Sequence, residues 1–145
     1  MATNRILMGS TSELSQVMMG TLSKLDGQPK LVAVEDGARL VNALTRLLLA
    51  RQPPALVVLD LTLPRVGGQS AALIIRALEK SIGEKKIPVL LYGPDSGNDE
   101  LKAFCKALGS TVHLRSRADH GLADQAKRLT QAIDRIVSRN KRSQS

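Results

Sequence analysis

The chain has 145 residues, 43% of them hydrophobic and 23% charged, with a formal charge of +8, the balance of one globular domain that buries its own core. No apolar run reaches the roughly 18 to 20 residues of a membrane span, and the single cysteine, Cys105, excludes an internal disulfide and a thiolate metal cluster. One Phe, one Tyr and no Trp argue against recognition of single-stranded nucleic acid by base stacking.

Met1 to Met8 carries one charge, Arg5, and lacks the regions of a secretory signal, so the expected location is the cytoplasm. Arg5 to Met8 reads as a short strand ending at Gly9. Ser10, with Glu13 three residues on, has the form of a capping box and predicts a helix beginning at Ser10. Its apolar positions are Leu14, Val17, Met18, Leu22 and Leu25, and Gly27-Gln28-Pro29 stops it. Leu31 to Val34 is the second strand, and Asp36 caps a helix carrying Leu40, Val41, Leu44, Leu47 and Leu48, ended by Pro53 and Pro54.

Ala55 to Leu59 is apolar at every position and closes on Asp60, the pattern of a central parallel strand covered on both faces. The loop to Gly68 contains Pro64 and Gly67, and a helix through Ala71, Ala72, Leu73, Ile74, Ala77 and Leu78 follows. Ile87 to Tyr92 is the fourth strand, and Gly93-Pro94-Asp95-Ser96-Gly97 reads as a connection without the spacing of a phosphate-binding loop. A helix from about Asp99 to Leu108, with Cys105 as apolar filling, leads through Gly109 to a fifth strand, Thr111 to Leu114. The last helix, from about Asp119 to Ser138, places Leu122, Ala126, Leu129, Ile133 and Ile136 on one face. Domain bounds of 1–138 follow, with 139–145 as a basic flexible tail.

Strands alternating with helices through short connections predict an α/β, doubly wound, flavodoxin-like fold: a five-stranded parallel sheet in the order 2-1-3-4-5 with right-handed crossovers. A pocket in such a fold lies at the carboxyl ends of the strands, beside the switch point between the first and third. The loops that matter begin at Gly9, Asp60, Gly93 and Arg115.

The stretch from Pro54 to Gly68, an apolar strand, then Asp60, then Leu63-Pro64 and Gly67-Gly68, resembles the phosphorylation region of receiver domains in bacterial two-component response regulators. Ile87 to Tyr92 and Ala107 to Ser110 fit the same family in order, and the likeness covers the chain to about Val137. It implies aspartyl phosphorylation: a Mg²⁺ held by an acidic pair after the first strand and by the acceptor, with a hydroxyl residue and a Lys ending the fourth and fifth strands. Positive charge is needed there because a carboxylate attacks an anionic phosphate.

Asp60 stands at the acceptor position, but Ser10 and Thr11 stand where the acidic pair is expected, Gly93 replaces the hydroxyl residue and Ser116 the Lys. Arg115 and Arg117 flank Ser116, and His113 takes the place of the family's switch aromatic. The resemblance is therefore to a degenerate, pseudo-receiver form, with no cofactor and weak or absent Mg²⁺ binding expected. Asp60 is expected to be an inherited carboxylate, bonded to nearby backbone or paired with Arg115 or Arg117. His113 is expected to be a partly buried strand histidine satisfied by a neighbour, and His120 a surface residue. Ser10, Thr11 and His113 form no hydrolase triad, since no Gly-x-Ser-x-Gly elbow is present.

From Arg115 to Ser145 eight basic side chains face three acidic ones. The family's docking face, made by the fourth helix, fifth strand and fifth helix, would carry Lys102, Lys106, Arg115, Lys127, Arg128 and Arg135. The reading is a non-catalytic, phosphorylation-independent interaction module of bacterial signal transduction. Its expected partner is a protein with an acidic surface, and the last helices allow a homodimer. The alternatives are a phospho-accepting regulator using Asp60 in an atypical pocket, and a basic nucleic-acid-associated module, against which stands the lack of any helix-turn-helix or zinc-finger pattern.

Overall fold

The computed structural model describes residues 5–25, 27–94, 99–116 and 121–144, with side chains as far as Arg139. The five strands are β1 (Arg5–Gly9), β2 (Lys30–Val34), β3 (Leu56–Asp60), β4 (Val89–Gly93) and β5 (Thr111–Arg115). They alternate with α1 (Ser12–Leu22), α2 (Gly37–Leu49), α3 (Gly68–Ile82), α4 (Glu100–Leu108) and α5 (Leu122–Gln144). All strand pairs are parallel and the order is β2-β1-β3-β4-β5. This is the doubly wound, flavodoxin-like fold that the alternation of elements predicts.

The sheet divides two cores. Leu7, Val57, Leu59, Val89 and Leu91 face α2, α3 and α4, where they meet Leu40, Leu44, Ala72, Ile75, Leu101 and Cys105. Ile6, Met8, Leu56, Val58, Leu90 and Tyr92 face α1 and α5, where they meet Leu14, Met18, Leu129 and Ile133. Central strands buried on both faces are what the unbroken apolar runs require. Cys105 is buried in the first core, and burial pushes its thiol pKa up, which leaves it a weak nucleophile and a good apolar filler.

Several boundaries differ from the sequence reading, most by one to three residues, and those of α1 and α5 matter most. The N-cap of α1 is Thr11, whose side chain accepts from the Leu14 amide; Ser10 is instead buried, its amide donating to the Val34 carbonyl in continuation of the β1–β2 ladder. The fifth helix begins at Leu122 and stays helical to Gln144, past Ser138 where a flexible tail was expected. No Gly or Pro follows Val137 to stop it. Asp95 to Gly97 of the fourth connection, with Arg117, Asp119 and His120, lie outside the described residues. Among the described residues no helix is long and apolar enough to cross a membrane.

A buried pair ties the far end of the sheet together. Arg76 on α3 donates through Nη1 to both carboxylate oxygens of Glu79, at 2.8 and 2.9 Å. Its Nη2 reaches the Gly109 carbonyl at 2.9 Å, and Glu79 accepts from the Ile87 amide just before β4. One carboxylate thus joins α3 to the start of β4, and its partner joins α3 to the α4–β5 turn.

Candidate functional site

The switch point between β1 and β3 forms a cleft of about 280 Å³ lined by Ser10, Thr11, Glu13, Glu35, Asp60 and Thr62, with Ser12, Leu63 and Pro64 completing its wall. Asp60 is the last residue of β3 and stands level with Tyr92 of β4. The following loop is pinned on both sides: the Leu61 amide donates to the Tyr92 carbonyl at 2.8 Å, and the Gly37 amide donates to the Pro64 carbonyl at 3.2 Å. Gly68 then starts α3 so close to β3 that a Cβ there would lie 2.6 Å from the Asp60 carbonyl oxygen. That closeness explains the glycine at this place in the motif.

The Asp60 carboxylate is held by neutral neighbours. Its Oδ1 accepts from the Thr62 amide at 2.8 Å and from the Thr62 hydroxyl at 2.7 Å, a local turn of the kind aspartate favours. Its Oδ2 accepts a longer bond, 3.4 Å, from the Ser10 hydroxyl. Of the two partners expected from sequence, nearby backbone is the one observed; among the described residues no ion pair joins Asp60 to Arg115. Among the described residues neither Lys nor Arg lines the cleft, while Glu13 and Glu35 do. Three carboxylates with no cation among the described residues beside them disfavour an incoming phosphate ester.

The donor set does not suit a magnesium ion. Mg²⁺ takes near-octahedral oxygen coordination and is usually fixed by one or two carboxylates beside waters and phosphate oxygens. Here Gly9 has no side chain, Ser10 offers a neutral hydroxyl, and Asp60 has its Oδ1 taken up by two bonds from Thr62 and its Oδ2 in a longer bond from Ser10. Among the described residues no three His, Cys, Asp or Glu side chains gather as a metal site, although three carboxylates share the rim.

Ser10, Thr11 and Asp60 come together in this cleft, whereas Gly93 and Ser116 lie at the neighbouring strand ends and do not line it. Gly93 has φ of +154°, and a Cβ there would approach Leu61 Cβ to 2.9 Å. The position that carries a hydroxyl in the family is thus closed by the side chain that follows Asp60. The Gly93 carbonyl accepts from the Ser116 amide at 3.0 Å and is 3.0 Å from His113 Nε2. A carbonyl only accepts, so His113 carries its proton on Nε2. His113 is half-buried on β5 and satisfied by a neighbour, as its sequence position suggests.

Tyr92 is a member of the site that the sequence reading missed. Its ring is buried, and its hydroxyl donates to Gln125 Oε1 of α5 at 2.8 Å. Burial raises the phenol pKa above its ordinary value; the Arg128 guanidinium pulls it back and the Asp60 carboxylate adds to the rise. Thr62 and Glu35 were missed as well. Thr62 was signalled by its place two residues after an aspartate, but Glu35 enters the cleft only through the pairing of β2 with β1.

On the basic side, Lys102 and Lys106 are exposed on α4, Arg115 at the end of β5, and Lys127 and Arg135 on α5, while Arg128 is half-buried beside Tyr92. Between β5 and α5 runs a groove of about 260 Å³ lined by Val112, His113, Leu114, Arg135, Ile136 and Arg139. Val112, in the middle of the edge strand, is 51% exposed.

No family model matches the sequence, and no curated protein matches it. Solved structures do. The receiver domain of the histidine kinase CKI1 from Arabidopsis thaliana, complexed with Mg²⁺, superposes with a TM-score of 0.70 at 19% identity, over 91% of this chain and 90% of that one. The phosphorylated cyanobacterial phytochrome response regulator RcpA gives 0.69 at 20% identity, over 92% of both chains. The chemotaxis response regulator CheY4 of Vibrio cholerae gives 0.64 at 16% identity, over 94% of this chain and 99% of that one. At these identities the likeness establishes the fold alone, the flavodoxin-like fold that receiver domains share.

Proposed function

We propose that the protein is a pseudo-receiver, a signalling module that works through protein contacts without phosphorylation and without a bound metal. The observation that carries this reading is the state of Asp60. Its Oδ1 is engaged twice by Thr62 and its Oδ2 by a longer bond from Ser10, and among the described residues no cation lines the surrounding cleft. A phosphoryl acceptor needs the opposite arrangement, an available oxygen beside fixed positive charge. The module presents one conformation, and its docking face is the β5 edge with Lys102, Lys106 and Arg115 on one side and Lys127, Arg128 and Arg135 on the other. The partner for that face is a protein with an acidic surface, and a homodimer through the last helices uses the same edge. A cytoplasmic location follows from this role.

One observation favours the phospho-accepting alternative: Glu13 and Glu35 line the cleft with Asp60, so carboxylates are present though dispersed. The two readings separate on incubation with acetyl phosphate and magnesium chloride, followed by intact mass. The pseudo-receiver stays unmodified; a stoichiometric phosphate adduct that disappears in Asp60→Ala would establish the alternative.

A further inference from the structure

At the opposite edge of the sheet lies a groove of about 430 Å³ between β2 and α2, lined by Arg5, Lys30, Val32, Ala43, Arg46 and Leu47, with Gln52 at its end. Among the described residues it holds three cations and no carboxylate. Among the described residues none of the three forms a salt bridge. Arg5 and Lys30 are level in the β1–β2 register, and Val32 follows two residues on, against the core that contains Leu7, Leu40 and Leu44. Side chains two apart on a strand share a face, so the charges and the apolar floor lie on the α2 side together.

β2 is the outermost strand. An outermost strand leaves one row of peptide groups without a sheet partner. The Val34 carbonyl faces β1, where it accepts from Ser10. Alternation along the strand then directs the peptide groups of Leu31 and Ala33 outward. Edge peptide groups beside a floor of apolar side chains are the means by which sheets take up extended peptides.

We propose that this edge is a docking groove for an acidic, extended segment of a partner protein, which adds as a sixth strand beside β2. The register fixes its pattern: an acidic residue level with Lys30 and an apolar residue level with Val32, two positions apart. Glu35, exposed just beyond the end of β2, rejects acid at that end and orients the segment. Charge complementarity selects an acidic partner over a second copy of this chain, whose own charge is +8. The groove lies across the sheet from β5, and its use does not depend on whether Asp60 is phosphorylated.

The test uses the full chain, labelled for amide NMR, and a blocked hexapeptide with glutamate at its second position, valine at its fourth and sixth, and serine elsewhere. Saturable shifts centred on Leu31 and Ala33, with slowed amide exchange there, are expected. Lys30→Glu with Arg46→Glu should weaken binding about tenfold or more, while Lys80→Glu, exposed on α3, should leave it unchanged. Circular dichroism of both variants checks that the fold is kept. The proposal is overturned by an absence of saturable shifts at millimolar peptide, by shifts centred on β5 and α5, or by equal binding of the peptide with lysine in place of glutamate. It is equally overturned if sodium glutamate alone reproduces the shifts, or if the Leu31 and Ala33 shifts follow protein concentration and report self-association.

Discussion

Thr62 satisfies the Asp60 carboxylate from two residues away, and the neighbouring positions have been shaped around that arrangement. Leu61 fills the space above Gly93, where a Cβ would meet it at 2.9 Å on a backbone with φ of +154°. Restoring a hydroxyl residue there should therefore harm the fold: Gly93→Thr is expected to destabilise by about 1–3 kcal/mol, measured by urea unfolding. Leu61→Ala in the same chain should recover only the part due to the Leu61 Cγ and Cδ1 contacts at 3.2 and 3.1 Å, because the Cβ at 2.9 Å remains, and leave the backbone part. A Gly93→Thr protein as stable as the parent would mean that the strand end relaxes freely. Tyr92 gives a second expectation, in pH. Its pKa is raised in the folded protein, so above pH about 10 the unfolded chain releases the phenolic proton first and stability falls as pH rises. In Tyr92→Phe this part of the alkaline decline should vanish, at a cost near neutrality of about 1 kcal/mol from the lost bond to Gln125. Identical alkaline limbs in the two proteins would contradict the assignment.

α3 is tied at its carboxyl end to the start of β4 and to the α4–β5 turn, and the tie depends on Glu79, which is 2% exposed. Removing one member of a buried pair strands the other charge, at a typical cost of about 3–5 kcal/mol. Glu79→Ala should lower the urea midpoint accordingly with an unchanged denaturant slope; a loss under about 1 kcal/mol would show that Arg76 finds other acceptors. Nothing in the sequence marked this pair, because Arg76 and Glu79 three apart on a helix read as a solvated ion pair until the α4–β5 turn is folded over them. The order of strands was legible, since unbroken apolar runs such as Leu56 to Leu59 suit only doubly covered strands. The start of α1 was misread because Ser10 and Thr11 are equally good caps by type. Which one caps was decided by β2, whose Val34 carbonyl claims the Ser10 amide. Asp60 itself was found through its motif, whereas its company, Glu35 in the cleft and Tyr92 beside it on β4, is assembled by pairing of strands distant in sequence.

At the scale of the molecule, a receiver-fold domain that switches must couple ligand binding at the strand ends to a change in its equilibrium between states, and any ligand does so only through its free energy of binding to the folded protein. Magnesium present at its own Kd adds about 0.4 kcal/mol of stability, and at tenfold excess about 1.4 kcal/mol. For a domain of this length the second figure corresponds to a rise of a few degrees in Tm. With Asp60 engaged by Thr62 and Ser10, and with Glu13 and Glu35 on the rim without forming a metal cluster among the described residues, the affinity should be too weak for either. Adding magnesium chloride to about 10 mM should therefore move Tm by less than ~1 °C relative to the same ionic strength of sodium chloride, and by the same amount in Asp60→Asn. The sodium chloride control matters because a net charge of +8 is itself screened by salt, which stabilises a self-repelling molecule without any site. A rise of several degrees specific to magnesium and absent from Asp60→Asn would restore the cleft as a metal site and, with it, the phosphorylation chemistry that the surrounding residues argue against.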